Sequence, residues 1–312
     1  MSYFSDQEMA RRLANLRRAM DEQSVEAVLI TSVHNTLYYS NFWMIPWGRE
    51  QGLVIPRDGE PAVIAPRIEY DRPAKMVDDG SGFRDIRIYA DNASAIDGWV
   101  GLARQVLRDR GITSGRIGIE EDNVSITLHK ALCAALPDLE FAEMGYAMMC
   151  EQMLKSDEEI TLIRDGAEIC DLGAQACVDA VRDGVTEVQV ARASVTAMEE
   201  EICRRFPGHE CDGTFCWAQS GPENTKVAHG RNTDRKIHSG DLLSLNLFPM
   251  ILGYYHLLER SLVFGPTSAE VQKYFEIQVE VHHAGIAALK PGVRLGDIDN
   301  AIINPILSLI HI

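Results

Sequence analysis

Between residues 26 and 143 the chain keeps returning to short apolar or β-branched runs, the later ones alternating with longer stretches of helical periodicity. No other feature narrows the fold so much. The runs read as strands at Glu26–Thr31, Gly52–Pro56, Pro61–Ala65, Ile86–Tyr89, Arg116–Glu120 and Leu139–Glu143. Arg57-Asp58-Gly59 is a turn signal that makes the second and third a hairpin. Helices are predicted over Ala93–Arg110 and Ser125–Leu136, and before them a first helix opens on Ser5 and Glu8, spaced as a capping box. Its Met9, Leu13, Leu16 and Met20 recur at helical spacing to about residue 22. Alternation of this kind implies an α/β fold with a mixed sheet.

A second start signal, Ser156-Asp157-Glu158-Glu159, opens a helix lined by Ile160, Ile163 and Ala167, and a further helix covers Glu187–Arg204. Strands follow at Thr214–Gln219, Leu242–Met250 and Tyr254–Phe264, the last two joined tightly at Ile251-Leu252-Gly253. Helix Ala269–Leu289 then stops at Pro291-Gly292. The boundary falls near Glu151, giving domains 1–150 and 151–312.

With 312 residues and 46% hydrophobic content, two buried cores are within reach. The net charge of −16 repels nucleic acid and anionic membrane surfaces. A start of Met1-Ser2-Tyr3-Phe4-Ser5-Asp6 is no secretory signal, and no apolar run reaches membrane-span length, so a cytoplasmic location is expected. Seven cysteines without a CxxC pair argue against both a disulfide framework and a zinc ribbon.

The second domain carries Val227-Ala228-His229-Gly230, then Ser239-Gly240-Asp241-Leu242-Leu243-Ser244-Leu245-Asn246-Leu247, then Gly253-Tyr254-Tyr255-His256-Leu257-Leu258-Glu259-Arg260. Together with the entry Lys155-Ser156-Asp157-Glu158-Glu159-Ile160, this resembles the pita-bread family of creatinases, prolidases, Xaa-Pro aminopeptidases and methionine aminopeptidases. The resemblance implies an N-terminal creatinase-type α/β domain followed by an incomplete pita-bread catalytic domain. Metallopeptidases of the family hold two metal ions, the first two ligands being aspartates separated by ten residues. Here those positions are Asn246 and Leu257. An amide replaces a hard anionic ligand poorly and leucine offers no donor, so no metal and no cofactor are expected.

The run Phe215-Cys216-Trp217-Ala218-Gln219-Ser220-Gly221, the Leu258-Glu259-Arg260 strand and Gln278-Val279-Glu280-Val281-His282 look most like the creatinase branch. That likeness implies cleavage of creatine to sarcosine and urea, with His229 as proton shuttle, Glu259 on the substrate guanidinium and Tyr255 as a further substrate contact. Glu259, two residues past Leu257, is expected on the same strand face. In the first domain, Ser32–Phe42 leading to Trp47-Gly48-Arg49 resembles the stretch with which a neighbouring creatinase subunit reaches the site, Arg49 gripping the substrate carboxylate. A homodimer with shared sites is therefore expected. The alternatives are a metal-dependent Xaa-Pro peptidase and a non-catalytic paralogue that binds without turnover. Histidines 34, 129, 209, 238, 256, 282 and 283 pair into no ligand set.

The family continues beyond residue 300 into further histidine and glutamate motifs that do not occur here. The expectation is a truncated, inactive and poorly stable chain, with 304–312 foreign to the fold and Pro305 interrupting the last helix.

Overall fold

The computed structural model describes residues 3–45, 48–78, 82–91, 94–209 and 212–310. In chain order it begins with α1 (Asp6–Gln23), β1 (Val25–Ile30), α2 (Val33–Ser40), β2 (Gly52–Pro56), β3 (Ala62–Pro66), α3 (Asp71–Asp78) and β4 (Asp85–Tyr89). Next come α4 (Ala95–Asp109), β5 (Gly115–Ile119), α5 (Ile126–Ala135), β6 (Leu139–Glu143), α6 (Gly145–Met153), α7 (Asp157–Ala180) and α8 (Glu187–Arg205). The rest is β7 (Phe215–Ser220), α9 (Gly221–Thr225), β8 (Leu242–Phe248), β9 (Met250–Ile251), β10 (Tyr254–Tyr255), β11 (Leu258–Val263), α10 (Ala269–Ala288) and α11 (Leu295–Ile310). Contacts divide the chain into one unit of Met1–Gly166, Cys203–Asp212 and Met250–Tyr255, and another of Ala167–Ile202, Gly213–Pro249 and His256–Ile312.

The first unit is built on a mixed sheet in the order β4-β3-β2-β1-β5-β6. Its central strand β1 reads Val-Glu-Ala-Val-Leu-Ile because both faces are covered. Val28 and Ile30 face a core with Leu16 and Met20 of α1 and Phe42, while Ala27 and Leu29 face another with Trp99, Val106 and Leu107 of α4. At the end of β5, buried Glu120 accepts from the backbone N–H of Thr31 (2.7 Å) and Ser32 (2.9 Å), from the Ser32 hydroxyl and from Asn35 Nδ2 (2.6 Å), which fixes the start of α2.

Ser5 caps α1 as expected, its hydroxyl accepting the Glu8 N–H at 3.1 Å, but the return half of the box is replaced. The Ser5 N–H donates to Glu158 at 2.9 Å, because the Glu8 carboxylate is taken by Arg11 and Arg12. At Ser156 the box is reciprocal: Glu159 N–H to Ser156 Oγ at 3.2 Å and Ser156 N–H to Glu159 Oε2 at 2.7 Å. Arg12, 1% exposed, lies over the Phe4 and Tyr38 rings and donates to Glu8 and to the Tyr38 carbonyl.

The second unit holds an antiparallel sheet in the order β11-β8-β7. Cys216, Ala218, Leu243, Leu245 and Leu247 form its buried face, and Cys216 Sγ meets Cys177 of α7 at 3.9 Å. The expected strand Leu242–Met250 stops at Phe248, since Pro249 has no N–H to continue the ladder. Likewise Tyr254–Phe264 divides at His256-Leu257, because pairing with β8 begins only at Leu258. Between them β9 and β10 make a hairpin of their own, turned at Leu252 and Gly253 with φ of 52° and 86°, a conformation glycine adopts without strain.

Pro305 does not interrupt the last helix. α11 runs from Leu295 to Ile310 with the proline inside it. A helical proline forfeits one backbone hydrogen bond, but its fixed φ is itself helical, so packing of α11 on α10 can carry the helix through.

Candidate active site

Alternation along the three strands of the second unit decides which side chains share the face opposite the apolar one. Register pairs Trp217 with Asn246 and Asn246 with Glu259, so these three form one row across the sheet. Phe215 and Phe248 occupy the next row and Gln219, Ser244 and Ser261 the one on the other side. Glu259 owes its place to this pairing. Leu257, used above to set the face, lies outside β11 and is 59% exposed.

The row is polar at its centre and aromatic at its β7 end. Asn246, 5% exposed, points Nδ2 at Ser244 Oγ (3.2 Å) and Gln219 Oε1 (3.4 Å). Phe215 stacks on Phe248 with centroids 4.4 Å apart, and Trp217 meets Phe248 edge-on at 5.1 Å. His229, in the exposed turn after α9, meets the Trp217 ring at 5.9 Å and 73°. His229 thus touches Trp217 at the β7 end of the row whose β11 end is Glu259. The aromatic wall of Phe215, Trp217 and Phe248 went unassigned in the sequence reading, although its period of two within Phe215–Trp217 was the available signal.

Segments around His229 are held by buried carboxylate chemistry. Glu187, the first residue of α8 and fully buried, accepts from Ser220 N–H (2.7 Å), Ser220 Oγ (2.8 Å), Asn224 Nδ2 (2.9 Å), Thr233 N–H (2.9 Å) and Thr233 Oγ (2.6 Å). Burial pushes its pKa up, but these donors outweigh burial and hold it below the usual carboxylate value. Arg235 grips Asp241 bidentately at 2.7 and 2.8 Å, and this pairing outweighs burial to lower the Asp241 pKa.

The other expected residues belong to the first unit. Tyr255 ends β10 and is 60% exposed, next to Tyr254, whose hydroxyl donates to Glu159 Oε1 at 2.6 Å. Arg49 is paired with Asp91 at 3.2 Å and lines a cleft with Thr31, Gln51, Ser94 and Asn123. Trp47 lies outside the described residues.

The donor set on the open face does not fit a pair of hard metal ions. Along the Trp217, Asn246 and Glu259 row there is one carboxylate, one amide and one indole, and Leu257 adds no donor. Among the described residues no three His, Cys, Asp or Glu side chains converge as a metal site.

Two family models match the chain. Residues 12–150 match the Creatinase/Prolidase N-terminal domain and residues 161–309 match Metallopeptidase family M24. The chain is 40% identical over 295 residues to a creatinase of Bacillus sp. (strain B-0618), covering 95% of this chain and 70% of that protein. It is 24% identical to a putative dipeptidase, YkvY, of Bacillus subtilis, over 92% of this chain and 75% of the relative. In structure it resembles an Xaa-Pro dipeptidase from Bacillus anthracis (TM-score 0.79, 21% identity, 96% of this chain and 78% of the other). It also resembles a prolidase from Thermococcus sibiricus (TM-score 0.80, 20% identity, 99% and 78%). The chain thus belongs to the creatinase and prolidase family of hydrolases, with an N-terminal creatinase-type domain and an M24 pita-bread domain.

Proposed function

We propose that the protein is a cytoplasmic, metal-independent creatine amidinohydrolase, converting creatine and water to sarcosine and urea. The observation that carries this reading is the row Trp217, Asn246, Glu259, in which an amide and a single carboxylate stand where a metallopeptidase needs a carboxylate cluster. One carboxylate beside an aromatic wall suits a planar delocalised cation, which can pair with the carboxylate and lie against an indole. The 40% identity to a creatinase supports the same substrate.

In this mechanism Glu259 holds the guanidinium and His229 takes a proton from the attacking water as its oxygen bonds to the guanidino carbon. His229 then returns that proton to the sarcosine nitrogen as the carbon–nitrogen bond breaks, so urea leaves and the imidazole is regenerated. Tyr255 contacts the substrate. Trp47 and Arg49 are supplied by the partner subunit of a homodimer, and Arg49 exchanges its ion pair with Asp91 for the substrate carboxylate.

Urea release by the protein purified from its natural gene, with creatine set against guanidinoacetate, tests the proposal. Urea from creatine is the expected result. Absence of urea from both substrates would reject it.

A further inference from the structure

The turn that carries His229 is tied to the sheet at points on both sides of the histidine. Before it, Gln219 Nε2 donates to the Asn224 carbonyl at 2.8 Å and the Val227 carbonyl at 2.5 Å. Gly230, directly after the histidine, has no side chain to collide with that amide, since a Cβ there would stand 2.5 Å from Gln219 Nε2. After it, the Asn232 side chain makes a two-point contact with β7. Its Oδ1 accepts the Ala218 N–H at 2.6 Å and its Nδ2 donates to the Cys216 carbonyl at 2.7 Å. Thr233 then closes the loop on Glu187.

The Asn232 contact has the geometry of strand pairing. β7 is the outer strand of its sheet, and in a ladder the C=O of one residue and the N–H of the next but one point to the same side. Cys216 and Ala218 are such a pair, separated by Trp217, whose ring faces His229. The amide of Asn232 thus satisfies the polar groups flanking Trp217, the aromatic residue against which the histidine rests. An exposed turn is ordinarily mobile. Here donors and acceptors on either side of His229 remove that freedom.

We propose that Asn232 is a positioning residue for His229, its amide occupying the edge of β7 that no described strand pairs and so fixing the imidazole relative to Trp217 and the Asn246 and Glu259 row. This inference rests on the reading of His229 as the acid–base group. An imidazole displaced by about 1 Å loses on the order of a hundredfold in rate while substrate contacts made elsewhere survive, so the effect belongs in kcat rather than in KM.

The test compares Asn232→Ala and Asn232→Asp with the parent protein, and uses Thr233→Val as a second lesion in case the first two fold poorly. Amide hydrogen exchange over residues 226–233 reads the tie directly, and creatine kinetics across pH reads its consequence. Exchange is expected to quicken about tenfold or more in that segment of Asn232→Ala and not in β1. Its kcat is expected to fall about ten- to a hundredfold with KM within about threefold, and the pH limb of kcat to shift. Asn232→Asp, which can accept from Ala218 but cannot donate to Cys216, should fall between. Unchanged exchange, or quickened exchange with unchanged kcat and pH profile, overturns the inference. If the parent protein turns over no creatine, the proposed substrate fails, and quickened exchange still upholds the tie while unchanged exchange rejects it.

Discussion

The six-stranded sheet of the first unit and the three-stranded sheet of the second use the same alternation of side chains to opposite ends. In β1 both faces are buried, so Ala27, Val28, Leu29 and Ile30 leave no position for chemistry. In β7 and β8 one face packs through Cys216, Ala218, Leu243, Leu245 and Leu247, while the other presents Trp217, Gln219, Ser244 and Asn246. A strand with apolar side chains on one face only can carry polar and aromatic groups at every second residue of the other without drawing on its core. Substitutions should therefore separate, with stability lost from the first sheet and turnover lost from the open face of the second.

His229→Gln should give the largest effect, lowering creatine turnover by about 10²–10⁴-fold while the melting temperature holds, because the imidazole is exposed. Steady-state kinetics beside calorimetry checks both halves. Leu29→Ala inverts the pattern, since removing a side chain 2% exposed leaves a cavity costing about 2–5 kcal/mol, measurable by denaturant unfolding. Equal losses of activity from both variants, at temperatures where each is folded, would erase the distinction.

Arg49→Ala should raise KM for creatine about ten- to a hundredfold, in proportion to a charge-assisted hydrogen bond of about 1.5–3 kcal/mol. Glu187→Gln sharpens the comparison through pH. The folded-state pKa of Glu187 lies below its unfolded value, so its stabilisation is full above the unfolded carboxylate range and is lost as pH falls through the folded pKa. Acid unfolding of the parent should steepen below about pH 4, and the glutamine variant should show a flatter profile. Smallest of all, Asp91→Ala removes a partly exposed ion pair and should change stability by less than about 1 kcal/mol.

Strands such as Gly52–Pro56 and Leu139–Glu143 were legible residue for residue, because period and turn signals are local. The helices α2 and α6 were not. Ser32-Val33-His34-Asn35 has no apolar stripe, and the helix start is held by Glu120, which lies 88 residues away from Ser32 in sequence. The same limit applied at the site. His229 and Glu259 could be named from their motifs, but the row from Trp217, which His229 touches, to Glu259 depends on the β7, β8 and β11 register, which no single segment encodes. In sequence Glu187 marks only the start of a helix, since its donors come from three separate segments.

On the proposed reading, the face of the second sheet that carries Asn246 and Glu259 hydrolyses a guanidino carbon without a metal ion. The most direct measurement is urea and sarcosine formation from creatine by protein dialysed against a strong chelator, with its metal content determined on the same sample. Equimolar urea and sarcosine at an undiminished rate is the result expected of Asn246 and Glu259 in the positions they hold. Activity that disappears with the metal and returns with added manganese, cobalt or zinc would contradict it.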